Sequence, residues 1–215
     1  MEIEVRGTQI EIEPNSKPYL IKRILADGFD TLTVFLLYLL FTFVILQTPL
    51  AAVYHSHYER AAEIAEETAS RLGNDAQAIR TELLANGEYL DESFAANLHG
   101  YLLKGLAVFL AEVILLLAIP LSGRDRTTLG KKLTGLLPFS ETRQAKAKWY
   151  QILYRFLFVF LLDSMLLFLL TGTLTFLLVP VLRLTEMLMN RKNKTICDYV
   201  TGIMIIERAS YDGIN

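Results

Sequence analysis

The feature that most constrains the fold is a long apolar run that begins directly after a cluster of charges. It extends from Lys22 to Leu46 and reads KRILADGFDTLTVFLLYLLFTFVIL. A helix of about 20 apolar residues is long enough to cross a lipid bilayer. The run keeps that length even when Asp27 and Asp30 lie in the headgroup region, so we predict a transmembrane helix over residues 24–46.

The charges at the head of this helix are spaced to share one face. Arg23, Asp27 and Asp30 stand at i, i+4 and i+7, which places them on a single stripe of an α-helix. A carboxylate at the depth of Asp30 costs about 2.5–3.5 kcal/mol to insert into a bilayer, so it needs a partner. Arg23 is the first candidate and another segment the second. The stripe either sets the depth and rotation of the helix or forms a functional site.

Composition narrows the class of protein. The 215 residues are 53% apolar and 20% charged, with a net charge of −2. These values are typical of a small multi-span membrane protein with polar loops. The single cysteine, Cys197, excludes internal disulfides and a thiolate metal cluster. We expect no cofactor, no metal site and no nucleic-acid partner; the lipid bilayer is the expected surrounding.

Two further apolar blocks predict the remaining membrane helices. The first of these blocks predicts a transmembrane helix over residues 101–121, the second helix of its kind in the chain. The second block, Gln151–Met189, is about twice the length that one crossing needs. The triplet Thr171-Gly172-Thr173 divides it into segments 152–170 and 174–189. The fold class is therefore an all-α membrane protein with about four transmembrane helices. Pro180 leaves open that the fourth segment is re-entrant.

Loop charges predict the orientation. Residues 47–100 are acidic and poor in Lys and Arg, so this helical loop is expected outside the cytoplasm. The loop after the second helix is rich in cations and is expected inside; these are Arg124, Arg126, Lys131, Lys132, Arg143, Lys146 and Lys148. Both termini are then cytoplasmic, since Arg191, Lys192 and Lys194 follow the last apolar block.

The outer loop itself predicts three helices. Pro49 suits a first turn, an Ala- and Glu-rich helix follows over Ala51–Leu72, and Asn74 caps a second helix that ends near Ala85. A third begins at Asp91 or Ser93. His55 and His57 form an HxH pattern, but i and i+2 side chains do not share a helix face, so a solvated surface is favoured over a metal site.

Short strands are predicted at both ends of the chain. Residues 1–20 alternate apolar and acidic positions around Arg6-Gly7-Thr8, which indicates a β-hairpin. The prolines at 14 and 18 break the chain before the first helix. Near the C-terminus, Val200, Ile203, Ile205 and Ile206 indicate a strand that completes one small sheet with the hairpin and Leu133–Phe139. Residues 208–215 form a tail.

Other charges are secondary candidates for a site. Glu112 lies in the middle of the second span and Asp163 deep in the third, with Arg155 at its start. Buried carboxylates of this kind are either paired between helices or functional. The dipeptide Gly130-Lys131 does not complete a phosphate-loop motif, because Gly123 precedes Gly130 by seven positions rather than five. A basic loop beside a membrane instead binds anionic headgroups or docks on helix ends.

Three separated signatures resemble the RDD family of bacterial membrane proteins, named for one arginine and two aspartates. They are Arg23-x-x-Ala26-x-x-x-Asp30, Thr128-Leu-Gly130-Lys131-Lys132-Leu-x-Gly135-Leu and Ile196-Cys-Asp198-x-x-x-Gly202. The second is similar to the family's TPGKRxxGL segment and the third to its LHDxxxGT. Arg155 matches an arginine at the start of the family's third span. Leu129, Cys197 and Ile203 depart from the usual proline, histidine and threonine, so a role of that histidine does not carry over.

The resemblance implies a membrane domain over residues 21–207, with 47–100 as an insertion, in the inner membrane of a bacterium. Some members of the family are linked to sodium–proton exchange. With no nucleophile–base pair, metal cluster or cofactor motif, an enzyme is the least favoured class and no catalytic residue is assigned.

Two hypotheses follow. The favoured one is a scaffold held by an Arg23–Asp30–Asp198 clasp, with a membrane protein or a second copy as its partner. The other is an ion or solute transporter in which Asp30, with Glu112 or Asp163, exchanges a proton or a sodium ion.

Overall fold

The computed structural model of the protein is mostly helical. It describes residues 2–5, 8–11, 17–143, 145–189 and 193–208. The chain forms two compact units, of which the first contains Met1–Tyr38 and Val108–Asn215 and the second contains Leu39–Ala107. Of the sequence predictions, those that concern Ile12, Pro14, Arg191, Lys192 and the tail from residue 209 fall outside the described residues.

The first helix, α1, is Lys17–Leu46, so the helix begins seven residues before the predicted transmembrane segment. Pro18 lies in the first turn of α1 rather than breaking the chain before it. The first turn tolerates proline because the N–H groups there have no partner within the helix. The stretch Tyr19–Leu46 is long and apolar enough to cross a membrane. Many of its leucines, such as Leu25 and Leu36, are exposed in the protein alone, as expected for a lipid-facing surface.

A second helical stretch, Gly87–Ser122, also has the length and hydropathy to cross a membrane. It consists of α4 (Gly87–Glu112), a π-helical segment (Val113–Ala118) and α5 (Ile119–Ser122). The predicted second span is therefore the C-terminal part of a longer helix. That helix begins at Gly87, not at Asp91 or Ser93 as predicted.

The third apolar stretch, Trp149–Met189, is divided near its middle. Its first half is α7 (Trp149–Phe158), a π-helical segment (Val159–Leu166) and α8 (Leu167–Thr171). A 3-10 turn at Gly172–Leu174 separates it from α9 (Thr175–Met189), which packs back against the π-helical segment. Gly172 has a φ of 59°, a left-handed conformation that glycine adopts readily. The predicted break is confirmed, and α9 continues as a helix past Pro180.

Two small sheets lie in the first unit. A hairpin joins β1 (Glu2–Val5) to β2 (Thr8–Glu11), as predicted. After α6 (Leu129–Leu133), the strands β3 (Leu136–Ser140), β4 (Ala145–Lys146) and β5 (Ile203–Glu207) form an antiparallel sheet in the order β4-β3-β5. The prediction of one sheet that includes the hairpin is wrong.

A short helix, α10 (Ile196–Thr201), precedes β5. Val200 lies in this helix and not in the strand that the sequence predicted. In β5, Ile203 pairs with Ser140 and Glu207 pairs with Leu136 of β3. The register therefore places the end of α10 beside the C-terminal end of β3.

The sheet and the head of α1 share one core. Leu136, Ile203 and Ile205 of the sheet are fully buried with Tyr19 and Ala26 of α1. Burial of each large apolar side chain contributes about 1.5–3 kcal/mol. This packing holds the head of α1 against β5, and thereby near α10.

The second unit contains, besides parts of α1 and α4, the helices of the predicted outer loop. Pro49 opens a 3-10 turn, and α2 (Ala52–Leu72) and α3 (Ala76–Ala85) follow. Asp75 caps α3 by accepting hydrogen bonds from the N–H groups of residues 77 and 78, so the predicted cap, Asn74, is wrong by one position. His57 contacts Glu92 at 2.6 Å. Within the described part of the chain, no group of three metal-ligating side chains is present.

Candidate functional site

The site is built around a carboxylate that two arginines share. Asp198 of α10 is fully buried. Arg23 of α1 donates to its Oδ2 atom and Arg155 of α7 to its Oδ1 atom. The side chain of Arg23 is 1% exposed and that of Arg155 is 18% exposed. Three segments that are far apart in sequence therefore meet at one ion-paired carboxylate.

Local structure places Asp198 for this role. Thr195 caps α10 by accepting a hydrogen bond from the Asp198 N–H, while the Asp198 carboxylate accepts one from the Thr195 N–H at 3.1 Å. This reciprocal arrangement satisfies two donors at the helix start. Burial alone would raise the pKa of the Asp198 carboxyl, but Arg155 and Arg23 lower it by more. The pKa of Asp198 therefore lies well below its ordinary value of 3.8.

Arg23 makes further contacts that fix its side chain. It donates to the backbone carbonyl of Asn193 at 2.5 Å and to the Tyr19 hydroxyl at 3.4 Å. Tyr19 in turn donates to the backbone carbonyl of Ile205 in β5 at 2.6 Å. A buried arginine needs several acceptors as well as a counter-charge. These contacts tie the head of α1 to both ends of the α10–β5 segment.

A second carboxylate cluster lies one to two helical turns further along α1. Asp30 accepts hydrogen bonds from the Gly130 N–H at 2.7 Å and from the Thr128 hydroxyl. The Lys131 ammonium lies 3.3 Å from Asp30 and 3.1 Å from Asp27. The side chains of Asp27, Asp30 and Lys131 are buried. Asp30 is therefore paired with the segment that contains α6, and the prediction that Arg23 is its partner is wrong.

The backbone of Gly130 makes this contact feasible. A Cβ atom at this position would lie 2.1 Å from the carbonyl oxygen of Ala26 and 2.9 Å from Asp30 Oδ1. Both distances are shorter than van der Waals contact. Only glycine therefore lets α6 approach α1 closely enough for the 2.7 Å hydrogen bond from its N–H to Asp30.

The remaining predicted residues fall in different places. Glu112 is buried and accepts a hydrogen bond from Ser164. Glu112 directly precedes the first π-helical segment, and Ser164 lies within the second. Such segments are frequent at functional sites. Lys132 is exposed, so of the adjacent lysines only Lys131 enters the described cluster. The side chain of Asp163 lies outside the description.

Two small cavities adjoin these clusters. One of about 30 Å³ lies beside Asp30, Lys131 and Arg155. The other, also about 30 Å³, lies beside Asp30 and Glu112. Each has room for roughly two water-sized groups. Arg183 of α9 lines both cavities, so the polar region continues along the helices from the first cluster toward Glu112.

Sequence reasoning missed several residues that contribute to the site. Thr128 was noted only as part of a motif, although its hydroxyl binds Asp30. Tyr19 falls in the N-terminal segment that the sequence assigns to a β-hairpin, and no prediction concerns Ser164. The pattern Thr195-x-x-Asp198 is a helix-start signal that could have identified α10 from sequence. No local signal pointed to the contacts of Tyr19 with Ile205 or of Ser164 with Glu112, because these partners are distant in sequence.

Comparison with known proteins finds one family. The model of the RDD family matches residues 17–202 of the chain, a range that includes both clusters. A search of curated proteins finds no match, and neither does a search of solved structures.

Proposed function

The chain belongs to the RDD family, and on that premise we propose that it is a membrane scaffold held together by a charged clasp. The clasp consists of Arg23, Asp198 and Arg155, together with the contacts of Asp27 and Asp30 to Lys131. Its function is to fix the sheet and α10 to the membrane helices, so that they present one rigid surface to a membrane-protein partner or a second copy.

We further propose the orientation that the loop charges favour. The protein spans the inner membrane of a bacterium several times; the third crossing is the continuous stretch from α7 to α8, and α9 forms the fourth segment, as a full crossing or a re-entrant helix. Both termini lie in the cytoplasm, and residues 47–100 lie outside it. The Lys- and Arg-rich loop between Arg124 and Lys148, set against the acidic outer loop, supports this orientation. The motif content supports no enzymatic activity.

The observation that carries the scaffold proposal is that the protein itself satisfies these carboxylates. Both oxygens of Asp198 bind an arginine, and both oxygens of Asp30 bind donors from the α6 region. Removing one partner of a buried ion pair costs about 3–5 kcal/mol, because the other charge stays buried and uncompensated. A carboxylate held in this way supports structure, whereas a transport site has to release its partners in each cycle.

Substitution of the carboxylates tests the proposal. Asp30→Asn and Asp198→Asn are expected to lower the folded yield of the purified protein, measured as the monodisperse fraction in size-exclusion chromatography. The matched control is Asp91→Asn, which alters an exposed aspartate of α4 and is expected to leave the yield unchanged. A wild-type yield for both buried variants would contradict the clasp.

One observation favours a second function, the exchange of a proton or a sodium ion. The two cavities share Asp30 and Arg183, and the second reaches Glu112, the deepest carboxylate of α4. Intramembrane carboxylates beside water-sized cavities are typical of ion pathways. Sodium–proton exchange in proteoliposomes separates the two functions. The scaffold predicts no exchange above empty liposomes, and the transporter predicts exchange that Asp30→Asn or Glu112→Gln abolishes at equal yield.

A further inference from the structure

We propose that the part of α4 that projects beyond the bilayer is a docking ridge for a helix of another protein, rich in lysine or arginine. The ridge is defined by Leu90, Phe94 and Leu98. This proposal deepens the scaffold function by adding a partner surface in the second unit, and it rests on the proposed placement of residues 47–100 outside the membrane. It involves no residue of the clasp.

The ridge follows one face of α4. Its residues recur at every fourth position, which places them in a row on an α-helix. All three are exposed, and Phe94 is 69% exposed. The same row continues toward the membrane with Leu102 and Leu106, which are also exposed. The face that meets lipid in the bilayer therefore extends into the outer part of the helix.

Contacts within the second unit indicate where the row leaves the bilayer. The apolar stretch of α1 ends at Leu46, and the His55 ring of α2 lies 3.0 Å from the Leu46 carbonyl oxygen. The adjacent Tyr54 packs on α4, since a Cβ atom at Gly100 would lie 3.2 Å from its ring. Gly100 is thus level with the end of α1, and residues 87–99 project roughly 20 Å further at 1.5 Å per residue. Lipid hydrocarbon does not cover the ridge at that height.

The ridge differs from the rest of the outer surface. The exposed face of α2 is acidic instead, with Glu59, Glu63, Glu66 and Glu67. Contiguous apolar side chains that face water mark a contact surface, whereas scattered ones are ordinary. A row at i, i+4 and i+8 is the pattern that a partner helix packs against. The expected occupant is therefore a helix with an apolar face.

Charge selects the chemistry of that helix. Residues 47–100 contain nine carboxylates and three arginines, a net charge of −6 with the histidines neutral. Two of the arginines, Arg60 and Arg71, already pair with glutamates of the same unit. A helix that carries lysine or arginine beside its apolar positions is attracted to this surface, and an anionic helix is repelled.

The same charge disfavours a second copy of the chain as the occupant. Asp91 is exposed and lies three positions before Phe94 and seven before Leu98, which places it on the face of the ridge. In a symmetric dimer the same patch of both copies meets. Each Asp91, and each acidic unit, would then face its own counterpart, and like charges in contact select against such a pair.

The test uses the purified full chain in nanodiscs of zwitterionic phosphatidylcholine, with empty nanodiscs as the reference. The probes are two fluorescent helical peptides with leucine on one face; the other positions are lysine in one peptide and glutamate in the other. Fluorescence anisotropy measures their binding. We expect the lysine peptide to bind about tenfold more tightly than the glutamate peptide. Phe94→Ser should weaken its binding by about tenfold, because an aromatic anchor is lost.

Leu84→Ser is the matched control, because Leu84 of α3 is 58% exposed and lies outside the ridge. This variant should bind the lysine peptide as tightly as the wild type does. If Phe94→Ser does not fold, Leu98→Ser replaces it and should show a similar loss. Light scattering of the wild type and of Phe94→Ser in detergent reports whether a second copy occupies the ridge.

The proposal is overturned if the lysine peptide does not bind, or if it binds no more tightly than the glutamate peptide. It is also overturned if Phe94→Ser and Leu84→Ser bind the lysine peptide equally well. A wild-type dimer that Phe94→Ser dissociates would overturn it too, since a second copy then covers the ridge. These results leave the clasp untouched, because the stability of Asp30→Asn tests the clasp without any peptide.

Discussion

Gly130 of α6 and Ala26 of α1 are in backbone contact, with no room between them for even a methyl group. A Cβ atom at Gly130 would stand 2.1 Å from the Ala26 carbonyl oxygen. Because that oxygen belongs to the backbone of a helix, it cannot move aside alone. Gly130→Ala should therefore separate α6 from α1, break the hydrogen bond to Asp30 and destabilise the fold by about 3 kcal/mol, measured by thermal unfolding in detergent.

Gly28 provides the control for this substitution. It lies in the same helix as Ala26, and a Cβ atom built there meets nothing within 4 Å. Gly28→Ala should leave the unfolding temperature unchanged or raise it slightly, since alanine is favoured over glycine in a helix by up to about 1 kcal/mol. Equal effects of the two substitutions would contradict the close approach.

Arg23 and Asp198 should be energetically coupled. Either Arg23→Gln or Asp198→Asn alone leaves a buried charge without its main partner, at a cost of about 3–5 kcal/mol. The double variant removes both charges and should cost clearly less than the sum of the single losses. A double-mutant cycle in equilibrium unfolding measures this difference. Strict additivity would mean that the two side chains do not stabilise one another.

Lys131 and Lys132 should respond differently to the same change. Lys131 is buried between Asp27 and Asp30, whereas Lys132 is exposed. Lys131→Met leaves two buried carboxylates without their cation and should lower the unfolding temperature by several degrees. Lys132→Met should change it by little, because exposed charges contribute little to stability. Differential scanning fluorimetry distinguishes the two results, and a larger loss for Lys132 would contradict the assignment.

Low pH should weaken the contribution of Asp198 to the stability of the fold. Its pKa is lower in the folded protein than its ordinary value of 3.8, so the unfolded chain binds the proton more readily. Ionised Asp198 therefore stabilises the fold above about pH 4, and this stabilisation is lost progressively as the pH falls below that value. The gap in unfolding temperature between wild type and Asp198→Asn should narrow from pH 5 to pH 3.

The pKa of Asp125 is also lowered, mainly by its hydrogen bond to Lys146. Asp125 is present in both proteins, so its titration cancels in the comparison. A gap that stays constant with pH would show that folding does not lower the pKa of Asp198.

Local patterns predicted most of the helices of this fold. The apolar runs predicted the helices long enough to cross a membrane, and Thr171-Gly172-Thr173 predicted the break in the last apolar block. The alternation of apolar and acidic residues predicted the N-terminal hairpin. The misses have local causes as well. Pro18 was interpreted as a break, although a first turn accepts proline. Val200 was assigned to a strand for its β-branched side chain, although the Thr195 cap starts a helix there.

The site was predictable as a set of residues but not as a set of contacts. Charge spacing on α1 singled out Arg23, Asp27 and Asp30, because a carboxylate near a membrane needs a partner. Which partner each one has depends on tertiary packing. Lys131 lies 101 positions beyond Asp30 and Asp198 lies 175 beyond Arg23. Nothing in the local sequence distinguishes Lys131 from Lys132 as the buried cation.

We propose that the charged residues at the head of α1 maintain the architecture of the protein. Thermal unfolding of Asp30→Asn in lipid nanodiscs, beside wild type and Asp91→Asn, tests this most directly. The clasp predicts that Asp30→Asn unfolds several degrees below both references, because Lys131 and the Gly130 N–H lose a charged partner. Unfolding at the wild-type temperature, together with loss of sodium–proton exchange in proteoliposomes, would contradict the clasp and make Asp30 a transport residue.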